Sequence, residues 1–214
     1  DSLQFYHLLN KDVSTMKNFL LFIAAMLCYV ASAAQTESKH MTFKGVPIDG
    51  TLEECVSRLE KVGFTHLWTD DGTAMLQGDF AGYKECKIDV FTCSNSKVYG
   101  IGIEFPIQND WTSLEANYQH LKNMLIAKYN KPFECTEGFQ GDISPKDNID
   151  KLLRLKRGEC TYKTSFITSD GYVILTLGHN DLGACGVVLL YADGVNAIDM
   201  FANTIIDLSA VGWR

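Results

Sequence analysis

Histidine and cysteine are the residues of this sequence with the most reactive side chains, so their spacing is the first guide to chemistry. A zinc site is not indicated, because the sequence contains no C-x-x-C and no two histidines three to five residues apart. A cysteine nucleophile with His66, His120 or His179 as its base stays open as an interpretation. The helical pattern around His120 favours a surface position, and "GHNDLG" around His179 is typical of a turn. Since no nucleophile elbow, P-loop or dinucleotide motif occurs either, we assign no catalytic residue, metal or cofactor.

The cysteines could instead form disulfides if the chain is exported. Six of the seven lie beyond residue 35: Cys55, Cys86, Cys93, Cys135, Cys160 and Cys185. Cys86 and Cys93 cannot pair within one strand, because seven residues at about 3.3 Å each exceed the roughly 7 Å reach of a disulfide. Cys135 and Cys160 flank a predicted helix, and we predict a bridge between them. The alternative is that all six stay reduced, because a chain of this length can build its own core.

Two predicted strands carry the side chains that we expect to contact a partner. In "KIDVF" the alternation of a strand places Lys87, Asp89 and Phe91 on one face. In "KVYGIGIEF" Gly100 and Gly102 fall on one face and would keep it flat for docking, although a bulge or a sharp twist explains them equally well. The whole predicted binding set is Trp68, Lys87, Asp89, Phe91, Gly100 and Gly102.

Residues 16–34 have the organisation of a secretory signal peptide. "MK" is followed by an apolar run from Phe19 to Val30 and then by small residues, with cleavage expected before Ala34 or Gln35. The run is shorter than the roughly 20 apolar residues that a membrane-spanning helix needs. We therefore interpret 1–15 as an extension upstream of the natural start and 35–214 as the folded protein, exported to the periplasm or secreted.

The composition of the chain excludes some classes of partner. Apolar residues make up 46% and charged residues 21%, so a folded core is expected rather than disorder. The formal charge is −7, and the basic residues are scattered, so no basic stripe is available for phosphates. Nucleic acid is thus not expected as a partner, nor a stable membrane span after processing. An unidentified protein or envelope component remains.

The elements that must position these side chains follow from apolar periodicity and from turn residues. The patterns predict helices from Thr51 to Gly63 and from Thr112 to Asn130, both opened by capping boxes, and a third from Ser144 to Gly158. Strands are predicted over 64–69, 73–81, 84–93, 97–105, 160–168, 171–178 and 185–192. A final apolar pattern at Ile198, Phe201, Ala202 and Ile205 indicates a C-terminal helix or a docked tail.

This order of elements predicts an α+β fold with a mostly antiparallel sheet and helices packed on one face. The halves 42–106 and 107–214 share an order of helix, strand, Gly-Tyr corner and two further strands. Tandem helix-plus-sheet repeats and chance similarity are both open as explanations.

Three segments give the chain a family resemblance. "FKGVPIDGTLEECVSRLEKVGF", "GDFAGYKECKIDVF" and "AKYNKP" resemble exported proteins of unknown function from Bacteroidetes bacteria. The order of helices and strands is also similar to that of beta-lactamase-inhibitor-protein-like repeats, which is an analogy of fold alone. Neither resemblance implies catalytic residues.

Two hypotheses about function can be stated. The first is a non-catalytic, exported binding module, for example an inhibitor, which docks a partner on the open face of its sheet. Trp68 would be an anchor if its side chain points outward and part of the core if it points inward. The second is a secreted hydrolase whose site is assembled from distant Cys, His and acidic residues.

Overall fold

The computed structural model describes residues 39–141, 144–180 and 182–197. The extension predicted at 1–15, the signal peptide predicted at 16–34 and the apolar pattern from Ile198 to Ile205 lie outside these residues. The chain divides into two compact units, Asp1–Lys39 and His40–Arg214, and the helices and strands named below belong to the second unit. Within the described residues, no helix is both long enough and apolar enough to cross a membrane.

The described residues form three helices and ten strands. The helices are α1 (Leu52–Lys61), α2 (Trp111–Tyr129) and α3 (Asn148–Lys156). The strands are β1 (Thr42–Phe43), β2 (Val46–Pro47), β3 (Thr65–Asp70), β4 (Thr73–Phe80), β5 (Tyr83–Thr92), β6 (Val98–Glu104), β7 (Glu134–Phe139), β8 (Cys160–Ile167), β9 (Gly171–His179) and β10 (Cys185–Asp193).

Eight of these strands make one antiparallel sheet in the order β3-β4-β5-β6-β10-β9-β8-β7, and β1 and β2 form a separate hairpin. Each half of the chain contributes four neighbouring strands, and the halves meet where β6 pairs with β10. The predicted α+β fold with a mostly antiparallel sheet is confirmed. In each half a helix, α1 or α2, precedes the four strands of the sheet, while α3 is an insertion between β7 and β8. Duplication of the halves stays a prediction.

The two faces of the sheet differ in what covers them. All three helices contact the same face, which we call the helix face: α1 lies against β4 and β5, α2 against β9 and β10, and α3 against β8 and β9. One buried row of this face, read from strand to strand, is Leu76, Ile88, Ile103, Leu189, Leu175 and Thr164. The opposite face, which we call the far face, has a parallel row: Trp68, Met75, Asp89, Gly102, Leu190, Ile174, Ser165 and Glu134.

Helix α1 begins as the sequence predicts. The Thr51 hydroxyl accepts a hydrogen bond from the Glu54 backbone N–H at 3.3 Å, and the Glu54 carboxylate accepts one from the Thr51 N–H at 3.0 Å. This capping box satisfies two backbone donors that the first turn would otherwise leave unpaired. Cys55, Val56 and Leu59 are then buried against the sheet.

Helix α2 begins earlier than predicted. Asp110 is the N-cap, with its carboxylate 2.8 Å from the Ser113 N–H, so the capping box predicted at Thr112 is wrong. The carboxylate of Glu115, which that box would have used, instead accepts hydrogen bonds from Trp111 Nε1 at 2.9 Å and from the Tyr162 hydroxyl at 2.8 Å. Trp111 in the same helix and Tyr162 on β8 have therefore replaced the Thr112 partner that the sequence pattern suggested.

Two other predictions at the β7 edge are corrected. Helix α3 begins at Asn148 with Asp147 as its N-cap, not at Ser144. The stretch before it, in which no strand was predicted, contains β7. Because β7 is an edge strand with largely exposed side chains, it lacks the apolar alternation by which strands are recognised.

Candidate binding site

The residues predicted to bind a partner do share one face. On β5, Lys87, Asp89 and Phe91 lie opposite Glu104, Gly102 and Gly100 of β6. These positions all belong to the far face of the sheet. Their common placement follows from the period of two along each strand, which the sequence shows clearly.

The two glycines are explained by the ring of Phe91. A Cβ atom on Gly102 would lie 3.2 Å from Phe91 Cε2, and one on Gly100 would lie 3.6 Å from Phe91 Cδ2. The ring therefore lies over both glycines, and Phe91 is only 8% exposed. The glycines thus make room for an aromatic side chain rather than a flat docking surface, and the register of β5 against β6 also shifts beside Gly100, between the pairs Phe91–Gly100 and Thr92–Val98.

Asp89 is the most unusual residue of the far face. Its side chain is buried, and no described residue hydrogen-bonds to its Oδ2 atom. Burial, reinforced by the nearby charge of Glu104, raises the pKa of Asp89 to about 7, while Lys87 acts in the opposite direction. Lys87 in turn forms a 3.8 Å ion pair with Glu104.

The middle of the far face is therefore closed to solvent, contrary to the expectation of an open face. Phe91 and Asp89 are buried, and Val188, Leu190 and Ala192 of β10 are buried beside them. Lys87 is exposed, and Trp68, on the edge strand β3, is 43% exposed. Of the predicted set, these two are exposed and the other four are buried.

The predicted Cys135–Cys160 bridge is not formed. Cys135 lies opposite Thr164 and Cys160 opposite Phe139, so the two are four residues apart along the β7–β8 ladder, or about 13 Å at 3.3 Å per residue. This separation is beyond the reach of a disulfide, and all six cysteines after residue 35 are free thiols. Burial raises the pKa of the Cys160 thiol to about 12, which disfavours the nucleophilic thiolate.

The histidines considered as catalytic bases lie in separate places. His66, on the edge strand β3, contacts the Thr69 hydroxyl at 2.8 Å. His120 lies on α2, with its ring centroid 6.3 Å from that of Tyr83. His179 ends β9 and contacts the Asn180 carbonyl at 3.1 Å. These contacts are with a hydroxyl, an aromatic ring and a backbone carbonyl, not with a thiol or a carboxylate, so they give no support to the alternative hydrolase.

A fourth histidine, His40, lies between two carboxylates that sequence reasoning did not bring together. Its Nδ1 atom is 3.0 Å from Asp193 Oδ2, and its Nε2 atom is 3.4 Å from Asp49 Oδ2. Burial acts to raise the pKa of Asp49, but hydrogen bonds from Asn196 and from the backbone of Gly50, with the nearby His40, hold it below its usual value. No local pattern could have revealed this cluster, because 153 positions separate His40 from Asp193.

Asp193, the last residue of β10, links the start of the unit His40–Arg214 to the turn that follows β10. It is completely buried and accepts hydrogen bonds from the backbone N–H groups of Met41 at 2.6 Å, Val195 at 3.1 Å and Asn196 at 2.9 Å. We call this group, together with His40, the Asp193 cluster. Within the described part of the chain, no group of three or more His, Cys, Asp or Glu residues is arranged to hold a metal ion.

A concave site lies on the helix face, where α2 crosses the sheet beside the β4–β5 turn. It is a pocket of about 230 Å³ with an apolar lining. Its walls include Phe80, Leu121, Met124, Leu125, Leu189 and Tyr191. We call it the α2 pocket. Its volume lies just below the roughly 300–1,000 Å³ of typical small-molecule sites, so it suits a short ligand.

One charged residue, Lys128, also lines the α2 pocket. Its ammonium lies 4.7 Å from the ring centroid of Tyr129 and 5.8 Å from that of Tyr191, so two aromatic faces hold the cation in place. None of the ion pairs between described residues involves Lys128. The pocket thus combines an apolar floor with one cation at its rim, and sequence reasoning missed it because its residues come from α2, β4 and β10.

Comparison with known proteins gives no further guide to this site. No protein-family model matches the chain, and no curated protein or solved structure matches it.

Proposed function

We propose that this protein is an exported binding module, non-catalytic, which holds a short amphipathic anion in the α2 pocket. The observation that carries the proposal is the combination in one cleft of an apolar lining with the Lys128 ammonium. A ligand with a short hydrocarbon chain or ring and a terminal carboxylate matches both features. Burial of the chain would supply most of the affinity, and the ammonium would orient the anionic end.

The position of Lys128 supports an anion rather than a neutral ligand. The side chain is exposed and held over Tyr191, which is itself a wall of the pocket. Burial raises the pKa of Tyr191, so its hydroxyl stays protonated and adds no negative charge to the site. A carboxylate could therefore approach Lys128 without meeting a competing anion from this wall.

Binding of octanoate tests the pocket, with octylamine as a probe of the same chain length and opposite charge. We expect octanoate to bind with a dissociation constant on the order of 0.1 mM by titration calorimetry, as for a ligand of about ten heavy atoms. Lys128→Met should weaken octanoate roughly tenfold, because it removes the charge and keeps the hydrocarbon stem. Met124→Trp, at the 42% exposed rim, should abolish binding by filling the pocket.

Lys122→Met is the matched control, since Lys122 lies one to two turns away on α2 and pairs with Glu137 instead of lining the pocket. Equal binding of octylamine, or octanoate binding that survives Met124→Trp, would rule out the α2 pocket as the site.

Export is proposed from the signal-peptide organisation of residues 16–34. We expect mass spectrometry of the protein from its native source to show an N-terminus at Ala34 or Gln35. A chain that retains residues 16–34 would contradict export with processing, and would leave the α2 pocket unaffected.

A further inference from the structure

Three side chains on the far face of β10 are buried although the described helices all lie on the other face. Val188, Leu190 and Ala192 are 2%, 4% and 0% exposed. None of the three belongs to the apolar cluster formed with the helices, whereas Leu189, between them in sequence, does. Strand β10 is thus buried on both faces, and the layer on its second face remains to be identified.

Neighbours within the sheet are not enough to bury Leu190. It lies between Gly102, which has no side chain, and Ile174. Such neighbours cover the flanks of a side chain, but its tip is removed from water only by a second layer packed on the sheet. A second layer must therefore cover the middle of the far face.

The same row of the sheet also contains unpaired polar atoms. Asp89 Oδ2 and Ser165 Oγ are buried and have no hydrogen-bond partner among the described residues. Asp89 lies one strand beyond Gly102 on one side of β10, and Ser165 lies one strand beyond Ile174 on the other. Because buried polar atoms are nearly always paired, the covering layer should carry hydrogen-bond donors as well as apolar side chains.

We infer that the C-terminal segment, residues 198–214, is this covering layer. The described chain reaches Ala197 after a turn at the end of β10, where the Ala197 N–H donates to the Asp193 carbonyl. A chain leaving this turn starts at the end of the strand that carries the buried side chains. Seventeen residues span about 25 Å as a helix, close to the roughly 30 Å length of the nine-residue β10.

The chemistry of the segment suits the face. Ile198, Phe201, Ala202 and Ile205 recur at helical spacing and would form an apolar stripe. Asn203 and Thr204 lie between these residues in sequence, and the stretch from 200 to 206 contains no charged residue, so it can be buried without an unpaired charge.

Hydroxyl-radical footprinting of the full chain tests this inference, because Leu189 and Leu190 are adjacent and face opposite sides of the sheet. In the unmodified chain we expect both to be protected from oxidation. In Phe201→Asp we expect oxidation of Leu190 and Val188 to rise several-fold while Leu189 stays protected. Should Phe201→Asp also expose Leu189, Phe201→Ala replaces it, and we expect a smaller rise confined to Leu190 and Val188.

Three outcomes would overturn the inference. First, Leu190 could stay protected from oxidation in both Phe201→Asp and Ile205→Asp. Second, Leu190 could lose its protection in Phe22→Asp instead, which would assign the covering layer to the N-terminal segment. Third, the protection of Leu190 in the unmodified chain could fall on dilution, which would assign the covering layer to a second copy of the protein.

Discussion

Two buried aspartates of the same sheet, Asp193 and Asp89, differ in the hydrogen bonding of their carboxylates. Asp193 accepts three backbone hydrogen bonds and contacts His40, so its burial is compensated. Asp89 is almost as deeply buried, yet its Oδ2 atom has no partner among the described residues. Burial is therefore the same for both carboxylates, and hydrogen bonding is what distinguishes them.

The difference indicates what each region does for the protein. A buried carboxylate that is fully hydrogen-bonded holds segments together, and here it links the start of the unit, at Met41, to the turn after β10. A buried carboxylate without partners costs stability whenever it is ionised. Asp193 should therefore stabilise the fold through its hydrogen bonds, whereas Asp89 should destabilise it when its carboxylate is ionised.

Replacement of Asp193 should have the largest effect. Asp193→Ala leaves the N–H groups of Met41, Val195 and Asn196 without their acceptor, and removal of one partner from a buried charged group typically costs about 3–5 kcal/mol. We expect the free energy of unfolding, measured with urea at pH 7, to fall by that amount.

His40→Asn is the matched variant for this experiment. It removes only the partly exposed member of the Asp193 cluster, and the backbone donors keep their acceptor. We expect it to cost about 1 kcal/mol or less, as for partly exposed ion pairs. Equal losses in the two variants would show that the histidine, and not the backbone hydrogen bonds, accounts for the stabilisation.

The surroundings of Asp89 were in part predictable from local sequence patterns. Period-two alternation in "KIDVF" and "VYGIGIEF" correctly placed Lys87, Asp89 and Phe91 beside the two glycines, because neighbouring strands of a hairpin pair in a register that the alternation defines. The capping box at Thr51 was likewise predictable, since its partners are three residues apart. The fold class followed from such local patterns.

Features that depend on distant pairs were not predictable. The burial of Asp89, the Asp193 cluster and the α2 pocket each join residues from separate elements, and no period or motif relates those residues in sequence. The predicted Cys135–Cys160 bridge was wrong for the same reason, since the register of β7 against β8 decides the distance between the two thiols.

Replacement of Asp89 should have a smaller effect and the opposite sign. The pKa of Asp89 is about 7 in the folded protein, against an ordinary value of 3.8, so the folded state holds this proton more tightly than the unfolded state does. The stability gained from this proton is fully present below about pH 4 and is lost as the pH rises through 7. Asp89→Asn stays neutral throughout, so we expect it to abolish this loss and to exceed the unmodified protein in stability by roughly 2–4 kcal/mol at pH 8.

Urea unfolding at pH 4, 6 and 8 measures this difference, and Asp79→Asn is the control. Asp79 is an exposed aspartate on the neighbouring strand, and its hydrogen bond with Lys84 lowers its pKa. Its contribution to stability is therefore present at pH 8 and lost toward low pH, so Asp79→Asn should not raise stability at pH 8. If Asp89→Asn instead kept the same fall in stability between pH 4 and 8 as the unmodified protein, the carboxylate of Asp89 would have to be paired when ionised, and its contrast with Asp193 would disappear.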